Sequence, residues 1–111
     1  MIRSLLTAGL LFGALPALAS ETCTFTTECF ESEACAETAF EMSIEGDTLI
    51  TDAETIPVTS GGSATKGVFV GYTASAFHVL TREIGGDARY STHIFDGMMM
   101  VNYLGTCEGA D

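Results

Sequence analysis

The tightest constraint on this 111-residue chain lies near its C-terminal end. There Gly85-Gly86 and Asp96-Gly97 divide three runs rich in β-branched and aromatic residues: Ala76 to Ile84, Asp87 to Phe95 and Met98 to Cys107. Dipeptides of this kind between such runs are two-residue hairpin signals, so the three runs read as a β-meander. A two-residue loop also fixes which residues face each other, and a slip of one residue sends every side chain to the opposite face. Across Gly85-Gly86 the expected pairs are Phe77 with Ile94, Val79 with Thr92 and Thr81 with Tyr90. Across Asp96-Gly97 they are Ile94 with Met99, Thr92 with Val101 and Tyr90 with Tyr103. Both turns place Phe77, Val79, Tyr90, Ile94, Met99, Val101 and Tyr103 on one face, the expected core. His78, Leu80, Arg82, Arg89, Ser91, His93, Met98, Met100, Asn102 and Leu104 fall on the other, a mixed and mostly solvated face.

Val68 to Tyr72 reads as a fourth strand. Earlier, Phe40, Met42 and Ile44 alternate with Glu41, Ser43 and Glu45, the period of a half-buried strand. Gly46-Asp47 follows as a tight turn that pairs Ile44 with Leu49, Met42 with Thr51 and Glu41 with Asp52. The last pair sets like charges together and requires a wet face. Pro57 to Gly67, which includes Ser60-Gly61-Gly62-Ser63, reads as a mobile surface loop. Six or so short antiparallel strands in one small chain give an all-β domain, a meander closing into a barrel or sandwich.

Residues 1 to 19 have the parts of a secretory signal peptide: a basic start at Arg3, an apolar run from Leu5 to Leu15 and a cleavage site at Ala17-Leu18-Ala19. The apolar run falls short of the roughly 20 residues that a spanning helix needs, so no membrane span is expected. The working protein is then a single exported β-domain of residues 20 to 111, periplasmic or secreted. Without Arg3 it sets Lys66, Arg82 and Arg89 against fifteen acidic residues, a net charge of −12. Such a balance argues against nucleic acid or an anionic membrane as partner and suits a basic protein. Ten of the acids lie between Glu21 and Glu54, where no basic residue occurs. Four cysteines, an even count in a small exported chain, imply two disulfides. A closed barrel makes the first and last strands neighbours, which pairs Cys23 with Cys107 and Cys29 with Cys35.

Little in the sequence points to catalysis. The C-x5-C-x5-C spacing lacks the close pairs of a zinc site, and thiolate ligands would be oxidised outside the cell. His78 and His93 stand in no nucleophile motif, and carboxylates gathered in one acidic run read as a solvated face. The segment from Gly46-Asp47 to Glu54 lacks a regular calcium-loop pattern, and no cofactor is implied. The chain therefore reads as non-enzymatic. One cluster stands out, because the expected register sets His78 opposite His93, Arg82 opposite Arg89 and Met100 opposite His93. Directly opposed like charges destabilise a sheet unless something offsets them. Acids of the first hairpin could do so. The alternatives are an external anion bound by Arg82 and Arg89, or a metal held by His78 and His93 with Met100 as a soft third ligand for copper.

Gly86-Asp87-Ala88-Arg89-Tyr90-Ser91, followed by a C-terminal cysteine, resembles the C-type lysozyme inhibitors of bacterial envelopes over residues 86 to 107. The resemblance implies a basic protein target such as lysozyme, towards which an acidic domain is steered by charge. The leading expectation is an exported binding or inhibitory module with an acidic surface for a basic protein. Its rivals are a small metal-binding envelope protein built on the histidine pair and an accessory structural domain without a ligand. The sequence sets no oligomeric state.

Overall fold

Every strand pairs antiparallel with its neighbour in the chain, and the last returns to the first. The computed structural model describes residues 20–61 and 67–109. It comprises β1 (Ser20–Phe30), β2 (Ala36–Glu45), β3 (Thr48–Ile50), β4 (Thr55–Gly61), β5 (Val68–Tyr72), β6 (Ala76–Arg82), β7 (Asp87–Ile94) and β8 (Met99–Gly109), which close into a barrel. The expected all-β meander is thus a closed eight-stranded barrel rather than a sandwich. The signal-peptide segment, residues 1 to 19, lies outside the described residues.

Period-two alternation builds the wall. In β1, buried Glu21, Cys23 and Phe25 alternate with exposed Thr22 and Thr24, and in β2 buried Met42 and Ile44 alternate with exposed Glu41 and Glu45. Phe25, Met42, Leu49, Ile56, Phe69 and Leu80 meet in the interior. Full burial of such a side chain contributes about 1.5–3 kcal/mol each, the main favourable contribution in a barrel this small. The outer face of β2 carries Glu37, Glu41 and Glu45, so it is wetted by water.

The closing seam has its own devices. Cys23 and Cys107 are register partners in the β1–β8 ladder, point inwards and form a disulfide; Cys29 and Cys35 form the second, across the β1–β2 turn. Both pairings are those expected. The β1 register shifts between Phe25 and Thr27, a bulge that bends the strand. Gly105 faces Phe25 at this point, where an added Cβ would collide with the Thr24 carbonyl oxygen. Only glycine lets the two backbones approach so closely.

Two turns keep the expected register. Ile44 faces Leu49 across Gly46-Asp47, and Ile94, Thr92 and Tyr90 face Met99, Val101 and Tyr103 across Asp96-Gly97. The pairs Met42–Thr51 and Glu41–Asp52 do not form, because β3 ends at Ile50. The third turn differs. At Gly85-Gly86 the loop takes three residues, Ile84, Gly85 and Gly86, between Glu83 and Asp87, whose N–H and C=O are bonded at 2.9 Å. Gly86 N–H closes the turn on the Glu83 carbonyl at 2.9 Å, and Gly85 adopts the left-handed φ of +66° that glycine tolerates.

That one extra residue reverses β6. Ala76, His78, Leu80 and Arg82 point inwards and are buried, while Phe77 and Val79, expected in the core, are half-buried on the outside. A second correction concerns the expected loop from Pro57 to Gly67. Residues up to Gly61 belong to β4, and residues 62–66 lie outside the described residues. Pro57 pairs with Thr48 on one side and lies beyond the β4–β5 paired residues, which begin at Val58 and Gly71. Its missing N–H therefore removes no rung of that ladder.

Candidate functional site: the open mouth of the barrel

Strand direction sorts the turns into two ends. The β2–β3 and β6–β7 turns lie at the base with the first residues of β1; the β1–β2, β3–β4, β5–β6 and β7–β8 turns surround the mouth. The base is closed by a buried ion pair. Arg82 donates from Nη2 and Nε to Glu21 Oε1 at 2.7 and 3.1 Å, and its guanidinium lies 5.2 Å from the centre of the Phe69 ring.

The mouth holds a cavity of about 230 Å³. Its aromatic wall is Phe40 from β2, Tyr90 from β7 and Tyr103 from β8, with ring centres 4.8 to 5.9 Å apart and planes within 24° of parallel. Thr51 and Glu54 from the β3–β4 turn and Thr92 from β7 add polar groups. A Thr51-centred turn sets the Glu54 backbone, whose N–H donates to Thr51 Oγ1 at 3.1 Å. This leaves the Glu54 carboxylate on the rim, 33 % exposed.

Next to Tyr90 and Glu54 of this lining lies a buried, neutral polar group. His78, 1 % exposed, lies with its ring parallel to that of Tyr90, and its Nδ1 is 2.7 Å from the phenol oxygen. Burial pushes the Tyr90 phenol far above its ordinary range, so it stays protonated beside Nδ1. On the other side of the ring, Nε2 reaches Thr73 Oγ1 at 3.1 Å. Burial holds His78 below the usual histidine range, partly offset by Glu54, whose carboxylate lies 3.7 Å from Nε2. At neutral pH the contact therefore joins a carboxylate to a neutral ring. Burial also raises Tyr103, assisted by the charge of Glu28, to which its hydroxyl donates at 3.2 Å.

The same end of the barrel carries further carboxylates. Glu28, Glu31, Glu33 and Glu37 come from β1, β2 and their turn, Asp52 and Glu54 from the β3–β4 turn, and Asp96 from the β7–β8 turn. Among the described residues no lysine or arginine lies at this end. Aromatic faces beside uncompensated carboxylates attract cations, since a ring face carries negative potential and desolvation strengthens the interaction.

The histidine and arginine cluster expected from the sequence is not assembled. His78 faces Thr92 and points inwards; His93 faces Phe77 and is exposed. Arg82 faces Ala88 and is neutralised by Glu21, while exposed Arg89 faces Thr81 on one side and Leu104 on the other. The three-residue loop is the cause, because it moves β6 one residue past β7. The histidine pair as a metal site and the arginine pair as an anion site lose their geometry with it. The opposition of Met100 and His93 holds. The mouth itself was missed. Alternation places Tyr90 and Tyr103 inside and marks Phe40 as apolar, but their meeting with Glu54 depends on barrel closure. Comparison with known protein families, curated proteins and solved structures returned no match.

Proposed function

We propose that the protein is an exported, non-enzymatic binding module that receives a cationic side chain of a protein partner at the mouth of the barrel. The observation that carries this reading is the gathering of seven carboxylates and three aromatic rings at one end, where no described residue supplies a balancing lysine or arginine. The barrel mouth is a common place for ligands, and a cavity with apolar walls and a few convergent polar groups fits an ammonium or guanidinium head on an apolar stem. Complementary charge would chiefly quicken encounter, over the roughly 8–10 Å that exposed charges reach at physiological salt.

The test follows the Tyr90 and Tyr103 ring signals by NMR while Nα-acetyl-lysine methylamide is added, and measures association with hen lysozyme, a basic protein, at low and high salt. Ring shifts that saturate, shrink in Glu54→Gln and do not appear with the neutral norleucine analogue are expected. Rings indifferent to the lysine derivative at 100 mM would overturn the reading. Lysozyme binding that is equally fast at both salts would remove the electrostatic part.

A further inference from the structure

A second feature stands apart from the mouth cavity, on the outer side of the β7–β8 tip. We infer that this tip binds a soft monovalent metal ion, Cu(I), through His93, Met98 and Met100. His93 and Met100 are register partners in the β7–β8 ladder and both point outwards. Directly opposed residues in such a ladder have Cβ atoms about 4.5–5.5 Å apart, a span that one metal ion can bridge between an imidazole nitrogen and a thioether sulfur. Met98 is 87 % exposed and sits in the turn with φ of +52°, a conformation uncommon for methionine. Together with His93, Phe95, Met99 and Met100 it borders a surface hollow of about 290 Å³.

The surroundings favour this ion class. Phe77 stands edge-on to the His93 ring, with ring centres 6.3 Å apart. Met100 N–H donates to Glu31 Oε2 at 2.8 Å, which sets a carboxylate beside an otherwise neutral ligand set. Thioether ligands select Cu(I) over harder ions, and an imidazole is compatible with copper. Thioethers also remain available in an oxidising compartment, where this chain's thiols are paired. Among the described residues no three His, Cys, Asp or Glu side chains converge, so hard and borderline ions find no comparable set. Met99 turns its thioether over Gly97 and is left out of the ligand set.

The experiment uses oxidised protein with ¹³C-labelled methionine methyl groups, titrated anaerobically with the acetonitrile complex of Cu(I), and in parallel with Ag⁺ as a redox-inert analogue. One equivalent of either is expected to shift the Met98 and Met100 methyls and the His93 ring while Met42 and His78 stay in place. In competition with bicinchoninate, Met98→Leu/Met100→Leu, which keeps apolar volume, should bind Cu(I) at least tenfold more weakly, and Glu54→Gln as tightly as the parent. Zn²⁺ at equal concentration should shift nothing. Unmoved methyl signals at one equivalent, or full affinity in the double leucine variant with its amide spectrum intact, would overturn the assignment and leave the tip an ordinary apolar turn.

Discussion

The base and the mouth of the barrel use similar side chains in opposite states of completion. At the base the guanidinium of Arg82 meets Glu21 and covers Phe69, and nearby Cys23 and Cys107 staple the seam. Each charge taken inside has its partner there. At the mouth Phe40 and Tyr103 remain half-buried, and Glu54 keeps a third of its surface and lies beside a neutral histidine. Closure of the barrel and the proposed recognition of a ligand thus fall at different ends, and changes at each should be separable in their effects.

The largest expected effect breaks the base. Replacing Cys23 and Cys107 by serine opens a loop of 84 residues' separation and should cost about 4–5 kcal/mol, read from the urea midpoint under oxidising conditions. The same change at Cys29 and Cys35, separated by 6 residues at the mouth end, should cost about 2–2.5 kcal/mol. Equal losses would erase the distinction between the ends. Arg82→Met leaves Glu21 buried without a partner and should cost about 3–5 kcal/mol, whereas Glu21→Leu with Arg82→Met should recover most of that loss. A double variant no more stable than the single one would mean that the ion pair itself, not the unpaired charge, sets the cost.

Effects at the mouth are smaller and depend on pH. The folded pKa of His78 lies below its unfolded value of about 6.5, so below that pH the unfolded chain binds more protons than the folded one. Stability should be complete above about pH 7 and fall as the pH drops through 6.5, by at most about 1.4 kcal/mol per unit from this group. The difference between the parent and His78→Gln across pH 5 to 8 isolates this contribution; parallel curves would deny it. Smallest of all, Glu54→Gln should change stability by no more than about 0.5 kcal/mol. It should also move the NMR titration of His78 further down, since Glu54 partly offsets the effect of burial.

Much of the barrel wall was legible in the residues. The alternation from Phe40 to Glu45, two of three hairpin registers and both disulfides follow from local pattern and from the neighbourhood of first and last strands. The extent of β1 was hidden, because Cys23 reads first as a cross-link although Cys23 and Phe25 also supply the inward beat of a strand. β4 was hidden by Pro57, which is tolerated only because of where the adjoining ladder starts. The decisive miss is Ile84-Gly85-Gly86. Two glycines fit a two-residue or a three-residue loop, and nothing in the dipeptide says which. That choice sends His78 inwards to Tyr90 and dissolves the cluster at Arg82, Arg89 and the histidines. The mouth was illegible for another reason, since Phe40, Glu54 and Tyr90 lie on separate elements that meet only once the sheet has closed.

The seam disulfide has a topological consequence. With Cys23 bonded to Cys107, the backbone between them is a covalent circle of nearly the whole barrel. A protease that cuts once in any turn inside that circle opens the ring without releasing a piece, and every strand keeps both neighbours. The same circle makes the position of the chain ends almost arbitrary. New termini could be opened at an exposed turn such as Gly85-Gly86 and the old ones joined near Ser20 and Gly109, with the ladder from β1 to β8 unchanged.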